Sequence, residues 1–141
     1  MTNRETLRSL ADAVEALSGP CRETDALIAD ATMERLWFDH SYAAVREEWW
    51  QGNDGKRHYQ PPAYTASTDS AMSLVGYQCG RPHNVVIATG HGSAYIVPND
   101  GASYGVNDDL CVRGRASGDD EIGRTARAIT AASLRAIGEG L

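Results

Sequence analysis

Apolar side chains near the start of the chain recur at Leu7, Leu10, Val14 and Leu17, with Arg4, Glu5, Arg8, Asp12 and Glu15 between them. Steps of three and four predict an amphipathic helix over residues 5–17 with one buried stripe. Gly19-Pro20 ends it, because glycine accepts the left-handed position after a helix and proline cannot continue the hydrogen-bond ladder. Pro20 also suits the opening of a second helix. Its inner side would carry Leu27, Ile28 and Ala31, and its outer side Arg22, Glu23, Asp25 and Arg35.

From Trp37 to Pro62 the helical period is lost. Tyr42 to Trp50 fits either a short helix or a strand, and Gly52-Asn53-Asp54-Gly55 is a turn cluster. After Pro61-Pro62, Ser67 is placed to cap a further helix, with Asp69 in its first turn on the favourable side of the helix dipole. Ala71, Leu74 and Val75 would face inward.

The pattern then changes to strands. Val85–Thr89 and Ser93–Val97 flank Gly90-His91-Gly92, the signature of an antiparallel hairpin. Pro98 to Gly101 and Asn107 to Asp109 read as further turns. Leu110–Arg113 reads as another strand, with Ala102–Val106 a short one before it. A closing helix over residues 120–137, capped by Asp119 or Asp120, places Ile122, Ala126, Ile129, Ser133 and Ile137 on one stripe, and Gly138 would stop it. Three or four antiparallel strands between helices at both ends define an α+β fold, most economically a sheet covered on its two faces by the terminal helices. No linker or repeat interrupts the pattern, so residues 1–141 are expected to form one domain.

Three segments carry a likeness. They are Gly19-Pro20-Cys21-Arg22-Glu23-Thr24-Asp25-Ala26-Leu27-Ile28, Pro62-Ala63-Tyr64-Thr65-Ala66-Ser67-Thr68-Asp69-Ser70-Ala71, and the alanine-rich run from Thr125 to Ala136. In that order and rough spacing they resemble the small phage and prophage proteins grouped as the phage ABA sandwich domain. The resemblance implies a helix–sheet–helix sandwich and a mobile-element origin. It brings no catalytic residues, since the group has no assigned activity. Capping by Ser67 and Asp69 and anchoring by Tyr64 explain the middle segment without a ligand.

Composition narrows the function. Thirteen basic against nineteen acidic residues leave a net charge of −6, which argues against sequence-independent binding of a nucleic-acid polymer. Cys21, Cys79 and Cys111 are odd in number and show no ligand spacing, so free thiols in a reducing cytosol are expected, with no zinc site and no cofactor. No apolar run is long enough to span a bilayer, and a cytoplasmic location is expected.

Candidate chemistry is sparse. Gly90-His91-Gly92-Ser93 fits neither a nucleophile elbow nor a phosphate loop. His40, His58, His83 and His91 lack metal spacing. Asp100, Asp108 and Asp109 do not follow an EF-hand pattern.

The unusual stretch is Arg46 with Trp49-Trp50, then Lys56-Arg57-His58-Tyr59, leading to Tyr64. Adjacent residues point to different sides, so one tryptophan could pack inward with the other displayed; the alternative is that both fill the edge of the core. Aromatic rings stack on bases, and arginines hold anions through charged hydrogen bonds. Arg46, Trp49, Trp50, Arg57, His58 and Tyr64, joined by Arg113 and Arg115 at the end of the last strand, are therefore the candidate ligand-binding residues. The leading expectation is a non-catalytic phage or prophage accessory protein, homo-oligomeric, that sequesters a small anionic or nucleotide-like ligand such as a host-defence signalling nucleotide. The alternatives are a module binding a host or phage protein, and a small hydrolase or transferase.

Overall fold

A computed structural model of the chain describes residues 3–42, 45–52, 55–78, 83–88, 92–98 and 112–139. Helix α1 spans Asn3–Glu15 and buries Leu7, Leu10, Ala11 and Val14, the stripe its spacing predicts. It ends two residues early, leaving Leu17 beyond it and only partly covered. Helix α2 spans Arg22–Thr32, with Cys21 extended at its N-cap. Its inner side differs from the expected one. Thr24, Asp25, Ile28 and Ala29 are buried, Leu27 is more than half exposed, and Arg35 lies beyond the helix in the first strand.

Asp25 is drawn inward by a buried turn at Tyr64-Thr65. A buried turn must find partners for its backbone groups inside the protein. Here side chains from two helices, the second and the last, supply them. Asp25 Oδ1 accepts from the Thr65 N–H and the Thr65 hydroxyl, each at 2.9 Å. The Thr65 carbonyl accepts from Arg127 Nη1 at 3.1 Å, and the Tyr64 carbonyl from the Thr130 hydroxyl at 2.8 Å. Thr65 Oγ1 in turn accepts from the Cys21 N–H at 2.9 Å. Arg127, fully buried, also grips Asp120 through both guanidinium nitrogens, at 2.7 and 3.1 Å. Helix α3, Thr68–Gln78, follows this turn, and the expected cap is present: the Ser70 N–H donates to Ser67 Oγ at 3.4 Å.

Two antiparallel sheets complete the α+β fold. Strands β1 (Glu34–His40), β2 (Val45–Gln51) and β3 (Arg57–His58) form the first in sequence order. Strands β4 (His83–Ala88), β5 (Ser93–Pro98) and β6 (Val112–Arg115) form the second. The predicted hairpin is there, with Val85 opposite Ile96 and Ile87 opposite Ala94. The last strand, expected over Leu110–Arg113, continues two residues further to Arg115 and pairs with β5; its expected first two residues lie outside the described ones. Thr89, the hairpin tip at His91 and the readings on residues 99–111, Cys111 included, lie outside the described residues, as does Cys79. Cys21 carries a free thiol.

Helix α4, Glu121–Glu139, packs against β5 and β6 and also against α1 and α3, so it lies between the second sheet and the other helices. Nine consecutive residues, 126–134, are buried, and at 100° per residue they cover the whole circumference. A single stripe was expected. Ile122 projects into solvent instead, before the enclosed part begins. The small side chains of the alanine-rich run permit this enclosure. A Cβ at Gly114 of β6 would fall on the Ala128 carbonyl and the Ala132 N–H, so strand and helix backbones meet directly. Gly138 does not stop the helix: it sits inside the last turn beside Leu7 of α1, where the contact between the two helices holds the turn.

Candidate interaction surface

The stretch without helical period folds into the first sheet. In an antiparallel pair, directly opposed residues share a face. Pairing Glu34 with Gln51 through His40 with Val45 sorts the side chains into two sets. Arg35, Trp37 and Asp39 share a face with Arg46, Glu48 and Trp50, and His58 joins them opposite Trp50. Leu36, Phe38 and His40 share the other with Val45, Glu47 and Trp49, and Arg57 joins them opposite Gln51.

The Trp50 face roots the sheet in the protein. Trp50 is 7% exposed, belongs to the core around Leu7, Ile28 and Tyr64, and donates from Nε1 to Asp30 at 2.8 Å. Arg35 lies over its ring at 4.0 Å. Farther out, Arg46 lies 4.8 Å over Trp37 and faces Asp39 and Glu48 at 3.9 and 3.8 Å.

The opposite face centres on Glu47. Its carboxylate accepts from the Tyr59 hydroxyl at 2.6 Å, with His40 Nε2 at 3.0 Å and Arg57 at 3.9 Å. The Tyr59 hydrogen bond first, and then that of His40, hold the Glu47 carboxyl below the usual carboxylate range. An ionised carboxylate so engaged orients its neighbours and has no proton to give at neutral pH. Phe38 meets His40 edge-on at 4.8 Å, and the Tyr42 ring lies 6.0 Å from His40, also edge-on. Phe38, Tyr42, Val45 and Tyr59 are each more than half exposed.

Both tryptophans are covered, which is the second of the two arrangements open from the sequence. Trp49, 6% exposed, lies under the Arg57 guanidinium at 4.2 Å and beside Tyr59. The two rings do point to opposite faces, but each face at this end of the sheet has its own cover. Of the predicted site residues, Arg46, Trp49, Trp50, Arg57 and His58 share this sheet, divided between its faces. Tyr64 is a core residue. Arg113 and Arg115 stand on β6 in the other sheet, where Arg113 donates to Ser93 Oγ and the Arg115 N–H donates to Glu15. Of the exposed residues around Glu47, Tyr59 falls in the stretch singled out from the sequence but not among the candidate ligand-binding residues, and Phe38, Tyr42 and Val45 were not singled out as candidates. A period-two signal was available in Leu36-x-Phe38-x-His40 and Val45-x-Glu47-x-Trp49.

No known family, curated protein or solved structure matches the chain. Segments 19–28, 62–71 and 125–136 meet at the Thr65 turn, through Cys21, Asp25, Thr65, Arg127 and Thr130. Here they do structural work. Among the described residues no three His, Cys, Asp or Glu side chains are grouped to hold a metal ion, and no helix is long and apolar enough to cross a membrane.

Proposed function

We propose that this protein acts by contact, as a protein-interaction module whose binding surface is the Glu47 face of the first sheet. The observation that carries this reading is the exposure of Phe38, Tyr42, Val45 and Tyr59 around a fixed Glu47–His40–Tyr59 group. Aromatic side chains held rigid beside an arginine are the composition of interface hot spots. Their display on hydrogen-bonded strands reduces the ordering cost of association.

Sequestration of a small anion draws less support. Arg35, Arg46 and Arg57 each face a carboxylate, and the three strands carry four carboxylates against three arginines. Trp49 and Trp50 are capped by guanidinium groups, which leaves little bare ring for a base to stack on.

Native mass spectrometry of protein purified from its own cellular background separates the two readings. A protein partner that is lost in Phe38→Ala and Val45→Asp, with the melting temperature unchanged, supports the proposal. A retained ultraviolet-absorbing small ligand, unaffected by either variant, refutes it.

A further inference from the structure

Strand β1 has a strand neighbour on one side only among the described residues. Its other edge offers a row of backbone N–H and C=O groups, a template for another strand. Its sequence is Glu34-Arg35-Leu36-Trp37-Phe38-Asp39-His40. We infer that this edge pairs antiparallel with the same edge of a second copy of the chain, about a two-fold axis at Trp37.

The register follows from geometry. Successive residues of a strand turn their backbone groups alternately to the two sides, and only outward-turned residues bond across a new edge. Two identical edges can therefore pair only in registers centred on a residue. Centred on Leu36, Arg35 meets Trp37 and Glu34 meets Phe38. Centred on Phe38, Trp37 meets Asp39 and Leu36 meets His40. Centred on Trp37, Arg35 meets the Asp39 of the second copy, Glu34 meets its His40, Leu36 meets its Phe38, and the two Trp37 rings adjoin. All seven residues are then paired, each charged or ionisable side chain opposite one of complementary character and apolar opposite apolar, the pairings that stabilise adjacent strands.

An edge guarded against self-pairing carries charges that repel its own copy. Here the order of charges does the reverse. Trp37 and Phe38, both 57% exposed and on opposite faces, give the junction apolar area on each side. Asp39, with its side chain 73% exposed beside Arg46, has room for a second arginine. The two first sheets would join into one of six strands, with both Glu47 faces on the same side. The inference rests on the strand edge and on Arg35 and Asp39 of the Trp50 face, so it stands or falls separately from the partner-binding reading.

The test is a charge exchange on the full chain, read by sedimentation velocity over a concentration series. Wild type is expected to dimerise reversibly. Arg35→Asp sets aspartate against aspartate at both symmetric contacts, and Asp39→Arg sets arginine against arginine. Each variant alone should weaken dimerisation roughly tenfold or more. An equimolar mixture of the two restores opposite charges at both contacts and should dimerise like wild type.

Arg35 also covers Trp50, so a second measurement does not depend on that residue. In a chain with Cys21, Cys79 and Cys111 replaced by serine, Trp37→Cys should cross-link to itself under mild oxidation. Opposed Cα atoms in an antiparallel pair, about 4.5–5.5 Å apart, fall within disulfide reach. Asp39→Cys should not cross-link, because it faces position 35. A wild-type mass of a single chain at every concentration overturns the inference. So does a mixture no more dimeric than its components, or cross-linking of Asp39→Cys as fast as that of Trp37→Cys.

Discussion

Replacing Asp25 tests whether the Thr65 turn organises the helices. The carboxylate is fully buried and accepts from the Thr65 N–H and hydroxyl on Oδ1, and from Arg22 Nη1 on Oδ2 at 3.0 Å. Asp25→Ala strands a buried N–H, a loss of about 1–3 kcal/mol, and removes a hydrogen bond to a charged acceptor worth about as much. The Thr65 hydroxyl can turn to the Cys21 carbonyl, now 3.4 Å away, and recover part of this. The Arg22 side chain is 53% exposed and is rehydrated at little cost. The expected loss is therefore about 3 kcal/mol, a large share of the ~5–15 kcal/mol that holds a domain folded.

Asp25→Asn keeps an acceptor for Thr65 and turns its amide toward Arg22, where water can intervene, so about 1 kcal/mol is expected. Thr65→Val keeps its own N–H bond to Asp25 but removes the acceptor of the Cys21 N–H, at about 2 kcal/mol. The double variant Asp25→Ala with Thr65→Val should cost at least about 1 kcal/mol less than the sum of the two, since the changes share a bond. Urea titrations followed by far-ultraviolet circular dichroism measure all four. An Asp25→Ala protein within about 1 kcal/mol of wild type, or a strictly additive cycle, would show that the turn is hydrated and holds nothing together.

Two further outcomes follow from the same packing. Gly114→Ala forces a methyl into the Ala128 and Ala132 backbone and should cost about 3 kcal/mol or more, with β6 displaced; a melting temperature equal to that of wild type would refute the direct strand–helix contact. Glu15 is held below the usual carboxylate range, first by its hydrogen bonds from Arg135, while Tyr59 does the same for Glu47 and Arg127 for Asp120. With folded values below the unfolded ones, the stabilisation is complete above the unfolded values, 4.5 for Glu and 3.8 for Asp, and is lost as pH falls through the lower folded values. Thermal melts should fall away in that acid range, and Glu15→Gln should melt lower at neutral pH with a shallower acid decline; parallel curves for variant and wild type would exclude the Glu15–Arg135 pair as a source.

Elements governed by local rules were legible in the chain. The stripe of α1, the Ser67 cap, the hairpin of β4 and β5 and the long closing helix each follow from the period of apolar positions or from the hydrogen bonding of a few neighbours. The α+β class follows from their order. Strand β1 was missed because alternation between Leu36 and His40 is interrupted by Trp37 on the second face, which makes the pattern look irregular. The site was half legible: the sequence pointed to the stretch around Trp49 but not to the residues it displays. Exposure at Phe38 and cover at Trp49 depend on what lies across from them: among the described residues nothing buries Phe38, whereas Arg57 and Tyr59 lie against Trp49.

Tertiary structure alone decided the charged interior. Asp25 read as a surface residue of its helix, because ionised side chains lose hydration on burial, and nothing in the sequence marked Arg127 as buried. They are buried because the Tyr64-Thr65 turn, distant in sequence from both, presents backbone groups that need an acceptor and a donor at that place. Sequence determines where helices and strands begin; which polar groups meet in the interior depends on how those elements pack.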